Sequence, residues 1–160
     1  MAKPTHTSQT DDQPRVALVL FNVAQYRVAI EANQVISMSD QPSHRRTANA
    51  QTLLYSAPSA PVSQPTYWLT LRDSARFLQT GFLQKEGWQL GVSGEIALQQ
   101  LPASSIRPIP KLLHSRRFTP ALCGIAFVGQ QLVLVLDARK LAPEPSPSAL
   151  HLLNPLARQP

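Results

Sequence analysis

Few side chains in this chain could do chemistry, and the first to consider is a single cysteine, Cys123. A catalytic cysteine must be an exposed thiolate with a base close to it. Cys123 stands beside Gly124 at the start of an apolar run, where a cysteine more often serves as a small buried hydrophobe. We therefore predict a buried Cys123 without a catalytic role. One cysteine also excludes an internal disulfide, which agrees with a reducing compartment.

Metal and phosphate sites lack their usual sequence patterns as well. A metal site needs several His, Cys or carboxylate ligands at short spacing. The four histidines are instead scattered, and the nine acidic residues are spread along the chain. The histidines are His6, His44, His114 and His151. Gly91 and Gly94 match no phosphate-binding loop. The sequence predicts no catalytic residue, no metal and no cofactor, and therefore a protein that is not an enzyme.

The charge balance suggests a nucleic-acid partner. The formal net charge is +6 and the pI is about 10.1. The basic residues gather in one stretch only, at Arg107, Lys111, Arg116 and Arg117, with His114 among them. Prolines interrupt that stretch, and no aromatic residues alternate with the charges to stack on bases. A solvated basic loop is the preferred interpretation, and a basic β-barrel that binds nucleic acid is the alternative.

Composition places one domain between two tails. Of 160 residues, 15 are proline, about twice the usual share, and they cluster outside the apolar runs. We expect a disordered tail over residues 1–14, a domain over 15–142 and a Pro-rich tail over 143–160. The N-terminal residues lack the basic and apolar regions of a signal peptide. The apolar run 16–21 is too short to cross a bilayer, so a cytoplasmic protein without membrane insertion is expected.

Two hairpins frame the predicted domain. Residues 15–23 and 26–31 are rich in strand-forming residues, and the second run alternates apolar and polar side chains. Residues 125–128 and 132–136 flank a turn in which Gly129 can take a positive φ. Because 132–136 is apolar at every position, both faces of that strand should be covered. Asp137 then suits the N-cap of a short helical turn over 138–141.

The segments between the hairpins predict further short strands. Asn33 to Met38 is predicted to be a strand end or a short turn, and residues 39–66 an irregular Pro/Ser-rich connection with one short element near 51–55. We predict strands beginning at Tyr67 and spanning 81–83, 87–92 and 95–101, a helical turn over 73–77, and Trp68 and Trp88 in or near the core. Many short strands with few helical turns indicate an all-β barrel or sandwich whose sheet closes to hide its edges.

The order of these segments resembles the CheW-like domain, the adaptor module of bacterial chemosensory arrays. The first hairpin followed by Val-Ile-Ser-Met at 35–38 is similar to the start of that family. The strand over 67–77, the segment 90–106 and the final pair 123–126 and 132–141 follow in the family's order and spacing. Each string is unspecific by itself, and the resemblance rests on their succession over most of residues 16–142.

This resemblance implies a fold and a role. The fold would be two small SH3-like β-barrel subdomains with one or two short helical turns. The role would be a non-enzymatic adaptor that binds a chemotaxis histidine kinase, with methyl-accepting chemoreceptors as further partners. By the same resemblance Val35, Ser37 and Met38 are the candidate partner-binding residues, and Val35→Asp is expected to weaken binding while the fold survives.

The chain departs from the family pattern at three places. Residues 39–66 stand where the family carries a Gly-x-x-Asn-Leu-Arg-Gly segment whose arginine contacts a partner. Ser37 replaces an acidic residue, and Ser93-Gly94 replaces a Val-Asp pair. These departures leave a further alternative, an array component that has kept the fold and binds one partner alone.

Overall fold

The computed structural model describes residues 13–44, 46–54, 61–72, 87–114 and 119–141. Strands dominate the described part of the chain, and the all-β prediction is confirmed. The strands are β1 (Arg15–Val23), β2 (Tyr26–Glu31), β3 (Val35–Ser39), β4 (Thr47–Asn49), β5 (Tyr67–Leu71), β6 (Trp88–Pro102), β7 (Arg107–Pro108), β8 (Leu122–Val128) and β9 (Gln131–Leu136). The helical elements are α1 (Ala50–Leu54) and single 3-10 turns at Ala32–Gln34, Ala103–Ser105, Lys111–Leu113 and Ala138–Lys140.

Both predicted hairpins are present. Strands β1 and β2 pair antiparallel up to Val23 and Tyr26, and the turn holds Ala24 at a φ of 51°. The β8–β9 turn places Gly129 at a φ of 62°, the left-handed conformation that glycine adopts without strain. The capped turn after β9 is confirmed too, since the Asp137 side chain accepts a hydrogen bond from the Arg139 N–H.

Strand β6 connects the two parts of the sheet. Its first residues pair with β5 and β4, and residues from Ser93 onward pair with β1. The predicted strands 87–92 and 95–101 are therefore one strand of 15 residues. The prediction of a break between them was wrong. Gly94 has a positive φ of 77°, but the strand continues through it without ending. The full strand order is β3-β5-β6-β1-β2-β9-β8-β7, with β4 beside β6.

The predicted closure of the sheet was wrong for the described residues. The order of strands is an open path whose ends, β3 and β7, each pair with one described neighbour. The division into two SH3-like barrels stays a prediction. Two apolar clusters nevertheless occupy the interior, called here the larger core and the smaller core. The larger core contains Phe21, Ile30, Leu69, Trp88 and Leu136. The smaller core contains Leu18, Leu20, Ala29, Val133 and Val135.

Strand β9 is covered only over its C-terminal part. Val133, Val135 and Leu136 are buried and Leu134 is half-buried, but Leu132 is 46% exposed. The prediction that both faces of this strand are covered throughout was wrong at its first residues. The strand begins at a hairpin turn that extends past the core, so apolar composition alone did not locate the boundary of burial.

The span over residues 39–66 is more regular than predicted. The short element expected near 51–55 is α1, and β4 was not expected at all. Both parallel pairings, β4 with β6 and β2 with β9, join segments far apart in the sequence. The expectations for residues 1–12, 73–77, 81–83 and 143–160 lie outside the described residues. No helix in the described part of the chain is long and apolar enough to cross a membrane.

Candidate partner-binding surface

The predicted binding residues lie on β3, the first strand in the sheet order. β3 pairs with β5, with Ser37 beside Thr70 and Met38 beside Leu69. The register shifts between Val35 and Ser37, so Ile36 forms a bulge. The bulge turns Ile36 outward, and it is 53% exposed, while Met38 is 54% exposed. Two large apolar side chains therefore face solvent on a strand at the end of the sheet.

The three predicted residues differ in their surroundings. Ser37 and Met38 are exposed, whereas Val35 is half-buried and packs against the larger core. A charge at Val35 would therefore be placed against apolar neighbours and would lower stability. Ile36 was missed by sequence reasoning, because the candidate residues were chosen by the family resemblance and not by which side chains of β3 the packing leaves exposed. Substitutions at Met38 and Ile36 should consequently disturb folding less than substitutions at Val35.

The start of β3 is fixed to two other segments through Gln34. Its carbonyl accepts a hydrogen bond from the Arg72 N–H at 3.2 Å, just after β5. Its side-chain Oε1 accepts from the Ala138 N–H at 2.7 Å, in the turn after β9. These two bonds hold β3 beside the last described turn of the chain.

A charged cluster lies in that last turn. The buried carboxylate of Asp137 accepts hydrogen bonds from Arg139 at 2.8 Å (Nε) and 3.1 Å (Nη2), and Lys140 Nζ lies 3.6 Å from it. The hydrogen bond from the Arg139 side chain is the main cause that lowers the pKa of Asp137. The two basic side chains stay largely exposed, at 65% and 53%. The cluster therefore places two exposed basic side chains near the start of β3, balanced in part by Asp137 and by Glu31.

A buried amide fixes the segment that follows β3. Gln89 is 1% exposed, and its Oε1 accepts hydrogen bonds from the N–H groups of Ser43 at 2.7 Å and His44 at 3.1 Å. Its Nε2 lies 3.2–3.4 Å from the hydroxyls of Ser39, Ser43 and Thr70. This one side chain therefore anchors both the end of β3 and the turn after it. Every polar atom of the buried amide has a partner, as a buried polar group requires.

Cys123 is exposed, and the prediction that it is buried was wrong. It alternates with the buried Leu122 and Gly124 on β8, so its side chain points away from the core. The thiol donates a hydrogen bond to the Val135 carbonyl at 3.3 Å. Desolvation of the sulfur, followed by the charge of Asp137, raises its pKa. A raised pKa keeps the thiol protonated at neutral pH, the opposite of an activated nucleophile.

The histidines, acidic residues and basic residues considered in the sequence analysis form no common site among the described residues. No three His, Cys, Asp or Glu side chains in that part of the chain lie close enough to hold a metal. His44 and His114 lie in separate segments, and the His114 ring meets the Ile109 carbonyl at 3.1 Å. Arg107 and Lys111 of the basic stretch are exposed. Arg116 and Arg117 lie outside the described residues.

A small open pocket lies between the β1–β2 turn and α1. Its volume is about 160 Å³, and amide and hydroxyl side chains, including Asn22, Asn49, Gln51 and Ser93, line it together with small residues. Several of these groups already have partners: Gln51 exchanges two hydrogen bonds with the backbone of Pro61 and Ser63. The pocket is lined by no titratable side chain of the described residues, so it offers no acid, base or metal ligand.

The fold can now be compared with known proteins. No protein-family model matches the sequence, and no curated protein is significantly similar to it. Among solved structures, the crystal structure of the scaffolding protein TtCheW from Thermoanaerobacter tengcongensis is similar, with a TM-score of 0.58 at 10% sequence identity. The match covers 78% of this chain and 90% of that protein. The chain therefore has a CheW-like fold, in agreement with the resemblance seen in the sequence.

Proposed function

We propose that this protein is a non-enzymatic adaptor of a bacterial chemosensory system, and that it binds a chemotaxis histidine kinase through β3. The observation that carries the proposal is the exposed strand itself: Ile36 and Met38 are each more than half exposed on a terminal strand of a CheW-like fold. Methyl-accepting chemoreceptors are proposed as further partners, and a cytoplasmic location is proposed with them.

The construction of the strand supports binding through this surface. A terminal strand presents unpaired backbone groups along one side and can accept a partner segment. Gln34 and Gln89 fix its two ends, which lowers the conformational entropy lost on binding. The bulge at Ile36 places an extra apolar side chain on the surface, and apolar anchors of this kind usually dominate binding energy.

The test is a binding measurement with two separate partners. The purified chain is titrated by calorimetry with a chemotaxis histidine kinase and, independently, with a soluble chemoreceptor tip. Met38→Asp and Ile36→Asp should each weaken kinase binding about tenfold or more, because each loses an apolar contact and buries a charge. Val62→Asp is the matched control, since Val62 is 55% exposed but lies outside β3.

The outcomes separate the alternatives. Binding to the kinase and not to the receptor tip would identify a component with a single partner. Absence of binding to both, or equal weakening by Val62→Asp and Met38→Asp, would refute the proposal. The nucleic-acid alternative predicts affinity for DNA or RNA that falls steeply with salt in a filter-binding titration, whereas we expect weak binding that is insensitive to salt.

A further inference from the structure

A second apolar surface lies on the face of the sheet, away from β3. Leu132 of β9 pairs directly with Phe127 of β8. β2 runs parallel to β9 with Arg27 opposite Val133, so Tyr26 lies beside Leu132 one position earlier. The three side chains are 44%, 46% and 60% exposed, in the order Tyr26, Leu132 and Phe127. Together they form a row across three neighbouring strands, called here the apolar row.

The apolar row continues a face that is otherwise buried. Side chains at alternate positions of a strand share a face, so Leu132 points to the same side as Leu134 and Leu136. Leu134 packs against the larger core, and Leu136 belongs to it. The face of β9 that contributes to the larger core therefore extends past the core and ends in a half-exposed aromatic and aliphatic row. Exposed apolar side chains that are contiguous in this way commonly mark a binding site.

We propose that the apolar row is the docking site of an acidic amphipathic helix from a partner protein. The row lies on a sheet face, and the backbone groups between its three strands are taken up by the pairing of β2 with β9 and of β9 with β8. An extended peptide laid across it would find no backbone groups to pair with, whereas a helix satisfies its own. The row spans two strand spacings, about 10 Å. That length matches residues i to i+7 of a helix at about 1.5 Å per residue.

The charges favour an acidic partner. Arg107 of β7 is exposed and pairs with Ile125, which shares a face with Phe127 two residues later. Strands β7, β8 and β9 contain no acidic residue, and the acidic residue of β2, Glu31, is five positions after Tyr26 and therefore lies on the opposite face. Glutamates beside the apolar positions of a helix would therefore lie near the Arg107 side chain and would not be repelled by an acidic residue on this face of the strands. Such complementary charges speed association and orient the helix.

A second copy of the chain fits the apolar row less well. Three half-exposed side chains of roughly 200 Å² each provide on the order of 300 Å². A stable protein interface buries about 800 Å² on each partner. Each copy also carries a net charge of +6, so self-association would bring like charges together. A single helix of opposite charge needs less contact area, and the net charge of +6 attracts it instead of repelling it.

The test uses the full chain and two synthetic helical peptides of about 18 residues, five turns. Both peptides carry leucines at i, i+3, i+4 and i+7. One has four glutamates beside the leucines and alanine at the remaining positions, and the other has lysines in place of the glutamates, so that both can form helices. Binding is followed by chemical-shift changes of the ¹⁵N-labelled protein. We expect the glutamate peptide to bind with shifts centred on Tyr26, Phe127 and Leu132, and the lysine peptide to bind at least several-fold more weakly.

Variants decide whether the apolar row carries the binding. Phe127→Ser and Leu132→Ser should each weaken the glutamate peptide about tenfold, the loss typical of an apolar anchor. Leu98→Ser is the matched control, because Leu98 is 69% exposed on β6, off the row. Far-UV circular dichroism and thermal midpoints check that each variant folds. Should one of the two row variants fail to fold, the other still decides the question.

Three results would overturn the inference. The first is equal binding of the two peptides, and the second is equal weakening by Leu98→Ser and Phe127→Ser. The third is a concentration-dependent dimer in sedimentation velocity that Phe127→Ser abolishes, which would make a second copy the occupant. The assay contains no kinase or receptor, so a negative result leaves the proposed function through β3 unaffected, and failure of that proposal leaves this one intact.

Discussion

Replacing Gln89 should both destabilise the protein and release the turn after β3. In Gln89→Leu, the N–H groups of Ser43 and His44 lose an acceptor at 2.7 and 3.1 Å. Both residues lie at least partly in solvent, so water can replace the acceptor and each loss costs about 1 kcal/mol. The 5%-exposed Thr70 loses its amide donor at 3.3 Å, which adds about 1 kcal/mol.

Leucine returns part of this loss by burying more apolar surface, about 1 kcal/mol. The net decrease in the free energy of unfolding is therefore expected to be about 2 kcal/mol, larger than a surface substitution would cause. Urea unfolding followed by circular dichroism measures it. Gln100→Leu is the matched control, because Gln100 is exposed on the same strand, and we expect a change within about 0.5 kcal/mol.

Hydrogen exchange provides the local readout. The amides of Ser43 and His44 should be protected in the native protein and should exchange much faster in Gln89→Leu, while amides of the β1–β2 hairpin keep their relative protection. An unchanged urea midpoint, or a His44 amide that stays protected in the variant, would refute the view that one buried amide anchors this segment.

Three further predictions concern single positions. Asp137→Asn should lower stability by about 0.5–1 kcal/mol at pH 7, because asparagine still caps the turn but loses the charge-assisted hydrogen bonds from Arg139. Arg139 lowers the pKa of the native carboxyl, so this contribution is present above the usual Asp pKa and disappears as the pH falls through the lowered value; the urea midpoints of native and variant should therefore converge at low pH. Gly129→Ala should cost about 1–2 kcal/mol at its φ of 62°, whereas Gln130→Ala in the same turn should be close to neutral, and equal thermal midpoints would contradict this. Cys123 should react with a disulfide reagent more slowly than glutathione at neutral pH and speed up in the alkaline range, because its pKa is raised; a reaction faster than glutathione would refute the protonated thiol.

Local signals in the sequence predicted the local structure well. Both hairpins, the Gly129 turn and the Asp137 cap depend on residues within a few positions of each other, and all are present. The parallel pairings of β2 with β9 and β4 with β6 join distant segments. They depend on which apolar faces meet in three dimensions, a property that no short window of sequence contains.

The same limit explains the errors at the candidate surface. Val35 was placed on the surface by resemblance, whereas its neighbour Ile36 is the more exposed because a bulge shifts the register. Cys123 and Leu132 stand in apolar runs, but burial depends on which strand face meets a core and where the core ends. Composition identified the strands, and tertiary packing decided which of their side chains remain available to partners.

The long strand β6 has a consequence for how this protein can be divided. Its residues pair with β4 and β5 at one end and with β1 at the other. Cutting the gene near Gly94 would deprive each fragment of an inner strand, so neither should be obtained as an independent product. Exchange of segments with a protein of similar fold would have to carry β6 whole, and a swapped segment that ends inside β6 should give insoluble protein.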